Sequence, residues 1–540
     1  MKKKIKKQIF FMVFIAVSAF WGTGAEAANW YVDNAATGSN NGTTWANAWT
    51  SFANIHWGSG GVVAGDTLYI SGGTTSRTYV NQSLVVGASG TAGNPITISV
   101  GQEEGYNGTA ILDFTTGSNT QTGFGIDLNN ADNINITGNY NGATHLKIQG
   151  LRNTTSGNAY LAVAIGGVGA PENRISNIVV DHVWVFNCNN GVRITYPSNI
   201  EVKNSTLEIR GDVGVGLITS NMTGFATATT GSRIHHNAIR CMRRTGLGYF
   251  PAPDGIQCSH GTDVYNNTFS MYEYFSGVDV TDQHPDYLQA TGDYTRIYNN
   301  EFLDIGDSAI DFDGYTYGGS GDNPTPNEIW IYNNVFRTVH IYDPYPQYIR
   351  VYSSTGLQSI TNVKILHNTF IDSQGSYLIG FFQYNGNPTA SGVELKNNIF
   401  YNCGTDQWSP NILVESSSNF TTNSFSFSHN IYYPPRPSSD YPFVYKGTNY
   451  NTANWIANHS PNSKSTQPVF MSYTVNGANN DLRLADTDTV AKESGADLSG
   501  YSLLATDRHG TARPQGTAFD IGAHESAGVR SGLNLRVVSP

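Results

Sequence analysis

Charge is scarce in this chain: Asp, Glu, Lys and Arg together make only 13% of its 540 residues. Asn, Gly, Ser, Thr and Tyr are abundant instead, a composition suited to short strands joined by tight turns. Cysteine is nearly missing. Cys188, Cys241, Cys258 and Cys403 are too few for a disulfide scaffold and too widely spaced for a zinc knuckle. They read as buried thiols, with a Cys241–Cys258 bridge open to an exported chain. A basic excess is lacking too, the formal net charge being −11. That sign argues against nucleic acid or an anionic membrane as partner. No stretch after the first twenty residues is apolar enough to cross a bilayer. There is no phosphate loop, no HExxH zinc helix and no Gly-x-Ser-x-Gly elbow.

The N-terminus opens Met1-Lys2-Lys3-Lys4-Ile5-Lys6-Lys7, continues with an apolar run over residues 9–20, and then shows Ala25-Glu26-Ala27. A basic head, a short apolar segment and a small-x-small site predict a secretory signal peptide over 1–27. The apolar run is too short to serve comfortably as an anchor. The expectation is therefore a secreted protein (extracellular, periplasmic or at the cell surface) with no membrane span, acting as a monomer. Removing 1–27 takes away five lysines and Glu26. What is left is 25 basic and 40 acidic residues, a charge of −15.

What the sequence has in quantity is a repeat. Pro253-Asp254-Gly255-Ile256-Gln257 and Val264-Tyr265-Asn266-Asn267-Thr268-Phe269 return as Pro285-Asp286-Tyr287-Leu288-Gln289 and Ile297-Tyr298-Asn299-Asn300-Glu301-Phe302. The same unit recurs at Val335-Phe336, Thr369-Phe370 and Ile399-Phe400. Its asparagines, counted from Asn204 through Asn237, Asn267, Asn300, Asn334, Asn368 and Asn398 to Asn430, lie 30 to 34 residues apart. Such a period marks units that cannot bury an apolar face alone and must stack. Each unit alternates apolar and polar positions, as a strand does. Its Asn can take the left-handed turn conformation, and stacked amides can bond coil to coil. Leucine-rich, helical and propeller repeats fit poorly, because there is no long helical periodicity and no Trp-Asp signature. The fold class predicted is all-β: a single-stranded right-handed parallel β-helix. Trp45, Trp49, Phe52 and Ile55 fall at helical spacing behind Thr43 and Thr44. They predict an N-terminal capping helix that plugs the open end of the solenoid.

The Asn-Asn-x-Phe coils resemble the right-handed β-helix repeat of the pectin-lyase-like superfamily. Trp30-Tyr31-Val32-Asp33, the Trp45/Trp49 segment and Gly65-Asp66-Thr67 resemble the start of its secreted bacterial members. Asp507-Arg508-His509-Gly510, Arg513-Pro514 and Asp520-Ile521-Gly522-Ala523-His524-Glu525 are similar to their closing segment. The resemblance spans nearly all of the mature chain. It implies a β-helix domain over 28–525, with a cap over about 28–75 and a closing segment over about 465–525, and a tail over 526–540. It is specific for fold rather than activity, since the superfamily holds lyases, hydrolases, epimerases and non-catalytic surface proteins. Val180-Asp181-His182 echoes part of a pectate-lyase element without its Trp. The Asp-Asp and Gly-His-Gly signatures of polygalacturonase-like hydrolases are missing.

Parallel coils stack equivalent residues about 4.8 Å apart. Taking Ile256, Leu288, Ile310 and Ile349 as inward positions makes Gln257, Gln289, Asp311 and Arg350 neighbours on one outer face. Asp254 and Asp286 then form a stack just before them. Stacked carboxylates need a metal, a shared proton or an exposed turn. Asp254, Asp286 and Asp313 are accordingly candidate ligands for Ca2+, against the plain alternative that Asp begins a turn. Gln257 and Gln289 make either an amide ladder or substrate contacts. Arg350 could neutralise a uronate carboxylate or take part in proton transfer, or merely pair with Asp311. His284 is the better general base on pKa grounds. Tyr315 and Tyr317, in the glycine-rich insert 314–327, and Tyr345 and Tyr348 offer rings for stacking on sugar faces.

The function expected is a secreted carbohydrate-active enzyme on a polysaccharide, cleaving an acidic, uronate-containing glycan by β-elimination. Asp286, Asp311, His284 and Arg350 are its catalytic candidates. A bound calcium would reconcile an acidic protein with an acidic substrate. The alternatives are a glycoside hydrolase using paired Asp residues and a non-catalytic glycan-binding solenoid.

Overall fold

The computed structural model describes residues 27–526 apart from 119, 154, 156–158, 171, 212, 219–230, 242–252, 259–260, 272–285, 291–292, 306–307, 313–326, 341–345, 354–359, 374–376, 384–388, 405–409, 416–419 and 422–423. The proposed signal segment and the proposed tail lie almost wholly outside these residues. Along the first sheet the alternation read from the repeat becomes strands with one buried face. Ile178 and Val180, Ile200 and Val202, Ile329 and Ile331, and Val363 and Ile365 are all buried to 1% exposure or less. Among the described residues three long parallel sheets result, and through most of the coils each takes every third strand. The first runs from Asn29–Val32 to Phe425–Ser428, and the second from Ser76–Val80 to Ile431–Tyr433. The third runs from Leu84–Val85 to Phe443–Tyr445 and ends on an antiparallel strand, Thr448–Tyr450. The chain is a right-handed parallel β-helix.

The axial core is a column of rings from the second sheet: Phe269, Phe302, Phe336, Phe370, Phe400 and Tyr432, with centroids 4.5–5.2 Å apart. Each stacked pair contributes about 0.5–1.5 kcal/mol beyond its area. Between the first and second sheets runs the amide ladder. In Asn300, for example, Nδ2 donates to Val264 O at 2.9 Å and to Asn334 Oδ1 at 3.1 Å. Its Oδ1 accepts from Asn267 N at 2.9 Å.

Two adjacent residues share the tasks that the sequence assigned to one. The first, as at Asn266, Asn299, Asn333 and Asn397, takes φ of 53–58°; the second makes the ladder. Asn204 (φ 50°) belongs to the first column, so the ladder proper begins at Asn237. Ser205 and Ser463 bond its two ends.

The expected N-terminal helix does not form. Trp45–Asn47 and Phe52–Asn54 are short 3-10 turns, and Trp49 between them is extended. Its N–H and C=O bond Tyr31 and Asp33 at 2.9 Å, which makes it one more rung and breaks the helical run. Trp45, Trp49, Phe52 and Ile55 are buried all the same; their spacing reflected burial, not helicity. The four cysteines are buried thiols, with no Cys241–Cys258 bridge.

Residues after 465 fold back outside the coils. Phe470, Leu482, Leu484, Ile521 and Ala523 cluster with Val335, Ile371, Ile399 and Ile431 of the second sheet. Leu498 and Leu504 cover Tyr332 and Leu366 of the first. Arg513, whose Nη1 donates to Asn333 Oδ1 at 2.6 Å, ties the segment to the turn column.

Candidate active site on the third sheet

The third sheet aligns Asp254–Cys258, Leu288–Ala290, Ser308–Phe312, Gln347–Ser353 and Tyr377–Gln383 side by side. Its register pairs Gln257 with Gln289, Gln289 with Asp311, Asp311 with Arg350 and Arg350 with Gly380. The row inferred from the repeat is therefore real. It includes the step to Arg350, across which the spacing between coils changes.

At the end of this row, Arg350 Nε donates to Asp311 Oδ1 at 2.8 Å while its Nη2 pairs with Asp311 Oδ2. The geometry is bidentate, the strong form of the pair. Asp311 is fully buried, whereas the Arg350 side chain keeps 21% of its surface exposed. Burial is the largest influence on Arg350 and works against its charge. The bond to Asp311 and the charges of Asp311 and Asp286 outweigh it and hold the guanidinium above its usual range. Such a group is a fixed cation rather than a base.

Three residues earlier in each strand lies a second row. Asp254 is followed by Asp286, Asp286 bridges to Ser308, and Ser308 pairs with Gln347 and Gln347 with Tyr377. Asp286 N donates to Asp254 Oδ1 at 3.1 Å, and Gln257 Nε2 donates to Asp254 Oδ2 at 2.7 Å. These bonds engage both Asp254 oxygens and ease the stacking of two carboxylates without a metal. Asp286 is buried. Among the described residues no group of three or more His, Cys, Asp or Glu side chains could hold a metal ion. Asp313, the third candidate calcium ligand, lies outside the described residues.

Gln347 was not foreseen. Its Oε1 accepts from Arg350 Nη1 at 3.4 Å and from the Tyr377 hydroxyl. The register that aligned Asp286 could have found it, but its coil carries no Asp to draw attention there. Tyr348 is a correction. It was expected to stack on sugar, but it points into the core, fully buried. Its hydroxyl bonds Thr338 Oγ1 at 2.8 Å, and its ring meets Phe336 and Phe370 edge-on. The strands of this sheet turn two successive residues inward, here Tyr348 and Ile349. In the extra inward column Gly214, Gly255 and Ala309 alternate with Tyr287 and Tyr348, so each ring has a small neighbour. A Cβ on Gly255 would already come within 2.4 Å of Tyr287 O. His284, Tyr315, Tyr317 and Tyr345 lie outside the described residues.

No family model matches the sequence, and no curated protein matches it. Solved structures do match. Pectate lyase Pel9A is 14% identical, with 93% of this chain and 97% of that one covered at a TM-score of 0.46. XylC in complex with xylose is 8% identical, over 92% and 98%, at 0.49. The lacto-N-biosidase from Eubacterium ramulus is 13% identical, over 75% and 67%, at 0.42. At these identities no residue role transfers from any of them.

Proposed function

We propose that the protein is an exported, monomeric carbohydrate-active enzyme that cleaves a uronate-containing polysaccharide by β-elimination on the outer face of the third sheet. The observation that carries this reading is Arg350: a fixed, partly exposed cation, clamped by a buried carboxylate, at the end of a row of amides. β-Elimination removes the proton next to a carboxylate, breaks the bond to the glycosidic oxygen and leaves a double bond in the sugar. The anion formed on the way needs a positive charge already in place. Arg350 would supply it, with Gln257 and Gln289 bonding hydroxyls along the chain. His284, two residues before Asp286, is the base assigned to the proton. Asp254, Asp286 and Asp311 then hold the frame: Asp311 fixes Arg350, and Asp254 ties its own coil to the next.

The stack of Asp254 on Asp286 favours a second reading, a glycoside hydrolase with one carboxyl as acid and the other as base or nucleophile. Incubation with a panel of uronate-containing and neutral polysaccharides separates the two. An ultraviolet-absorbing unsaturated product supports elimination. New reducing ends without such a product support hydrolysis, and binding without turnover leaves a glycan-binding solenoid.

A further inference from the structure

The first sheet carries a groove that plays no part in the proposed reaction. Its origin is a turn column in which nine successive coils take a left-handed residue: Asn133, Asn177, Asn199, Gly231, Gly261, Tyr294, Glu328, Asn362 and Gly392, all with φ between 51° and 68°. Asparagine and glycine are the residues such a backbone favours. In the early coils the asparagines bond each other, Asn177 to Asn133 at 3.0 Å and Asn199 to Asn177 at 2.7 Å. Gly231 and Gly261 interrupt that ladder, and a Cβ on Gly231 would meet nothing within 4 Å. The missing side chains leave a groove of about 500 Å³, within the range of small-ligand sites.

Tyr294 and Glu328 stand at its far end. They hold φ of 57° and 55°, where a bulky side chain is a strained outlier. Any coil could have used Asn or Gly there. These two instead place a ring, 51% exposed, and a carboxylate at the rim, the carboxylate also accepting from Asn362 Nδ2 at 2.7 Å.

The floor is the row Arg233, Asp263, Arg296 and Trp330. Arg296 grips Asp263 through Nε at 2.5 Å and through Nη2. Trp330 is steadied edge-on by Tyr501 at 5.1 Å. The Arg233 and Arg296 side chains remain 48% and 40% exposed. A second recess of about 310 Å³ continues past Arg233 along the asparagine ladder. Arg233 and Arg296 face Asp263 and Glu328, and Glu201 of the adjoining recess lies 3.5 Å from Arg233, so the groove carries no excess of positive charge. Nothing in that balance draws in a polyanion. Exposed rings beside prealigned donors and acceptors suit the apolar face and vicinal hydroxyls of a pyranose.

We propose that this groove is a second, non-catalytic saccharide site that takes a neutral pyranose segment, on a different sheet from Arg350. It does not depend on the elimination reaction. The test is affinity electrophoresis of the full chain in gels containing xyloglucan, galactomannan, arabinoxylan, polygalacturonate or alginate. The variants are Gly261→Asn, which restores the ladder residue and fills the groove, and Tyr294→Gly, which removes the ring and relieves the backbone. Retardation by at least one neutral polysaccharide is expected, weakened about tenfold in each variant. The melting temperature does not fall in either variant, and any turnover of uronate substrates stays unchanged. No neutral polysaccharide bound, neutral binding equal in the variants, or acidic binding lost in Gly261→Asn would each overturn the proposal. Loss of elimination on the third sheet would move none of these readouts.

Discussion

The Arg350–Asp311 pair admits a test that separates structure from chemistry. Arg350→Gln leaves a fully buried carboxylate without its bidentate cation. Removing one partner of a buried pair costs about 3–5 kcal/mol, most of it the penalty of the charge left behind. Adding Asp311→Asn discharges that carboxylate, so the double variant recovers much of the loss, with a coupling of about 1–3 kcal/mol. Denaturant midpoints of wild type, both single variants and the double variant close the cycle. Turnover behaves differently. If Arg350 stabilises the anion of elimination, the stable double variant stays about 10²–10³-fold slower than wild type. An active double variant would remove Arg350 from the chemistry. A loss below about 1 kcal/mol in Arg350→Gln would mean that water screens the pair as it does a surface bridge.

Asn300→Ala deletes two donated and two accepted bonds of the amide ladder. At about 0.5–1.5 kcal/mol each the loss is about 2–6 kcal/mol, read as a lowered urea midpoint; an unchanged midpoint would deny the ladder its stabilising role. For Glu394, burial is the largest influence and raises its pKa. Bonds from Lys364, Lys396 and Tyr501 outweigh it and bring the carboxyl down to about 2 from 4.5. A depressed carboxylate contributes stability above its unfolded value that is lost as pH falls through the folded one. The melting temperature of wild type should therefore drop between pH 4.5 and 2 more steeply than that of Glu394→Gln, and parallel curves would refute the linkage. Chelation should leave uronate turnover intact, because both Asp254 oxygens are engaged by protein donors and the positive charge comes from Arg350. Loss on chelation, restored by calcium, would refute that assignment.

The architecture was legible because a stacked coil repeats its physical demands. A ladder amide, a Phe for the axial column and alternating aliphatics recur at the same place in each turn, and the sequence shows them as a period. The outer row from Gln257 to Arg350 followed from the same arithmetic. Tyr348 was misplaced because strict alternation does not describe strands that turn two residues inward. Only the small residues Gly214, Gly255 and Ala309, compared across coils, show where its ring fits. The capping helix failed for a related reason: four apolar residues at helical spacing satisfied burial equally well as an extended rung flanked by 3-10 turns. The left-handed column was visible only in part, since Gly and Asn announce such a conformation while Tyr294 and Glu328 do not.

Those exceptions bear on function. In a solenoid most positions are fixed by neighbours above and below, so a residue that breaks its column without improving the stack needs another explanation. On the third sheet Asp311 and Arg350 depart from the amide row of Gln257 and Gln289 as a pair, a buried charge and a counter-charge that stays partly exposed. Tyr294 meets that criterion on the first sheet, where the backbone favours Gly or Asn and its ring stands over a gap left by two glycines; Glu328 meets it only in part, since its Oε1 also accepts from Asn362 Nδ2 of the next coil at 2.7 Å. Asp254 and Asp286 do not meet it, because bonds between coils account for their places. The departures from the repeat therefore fall at two separate places, one suited to stabilising an anion and the other to stacking against a neutral ring.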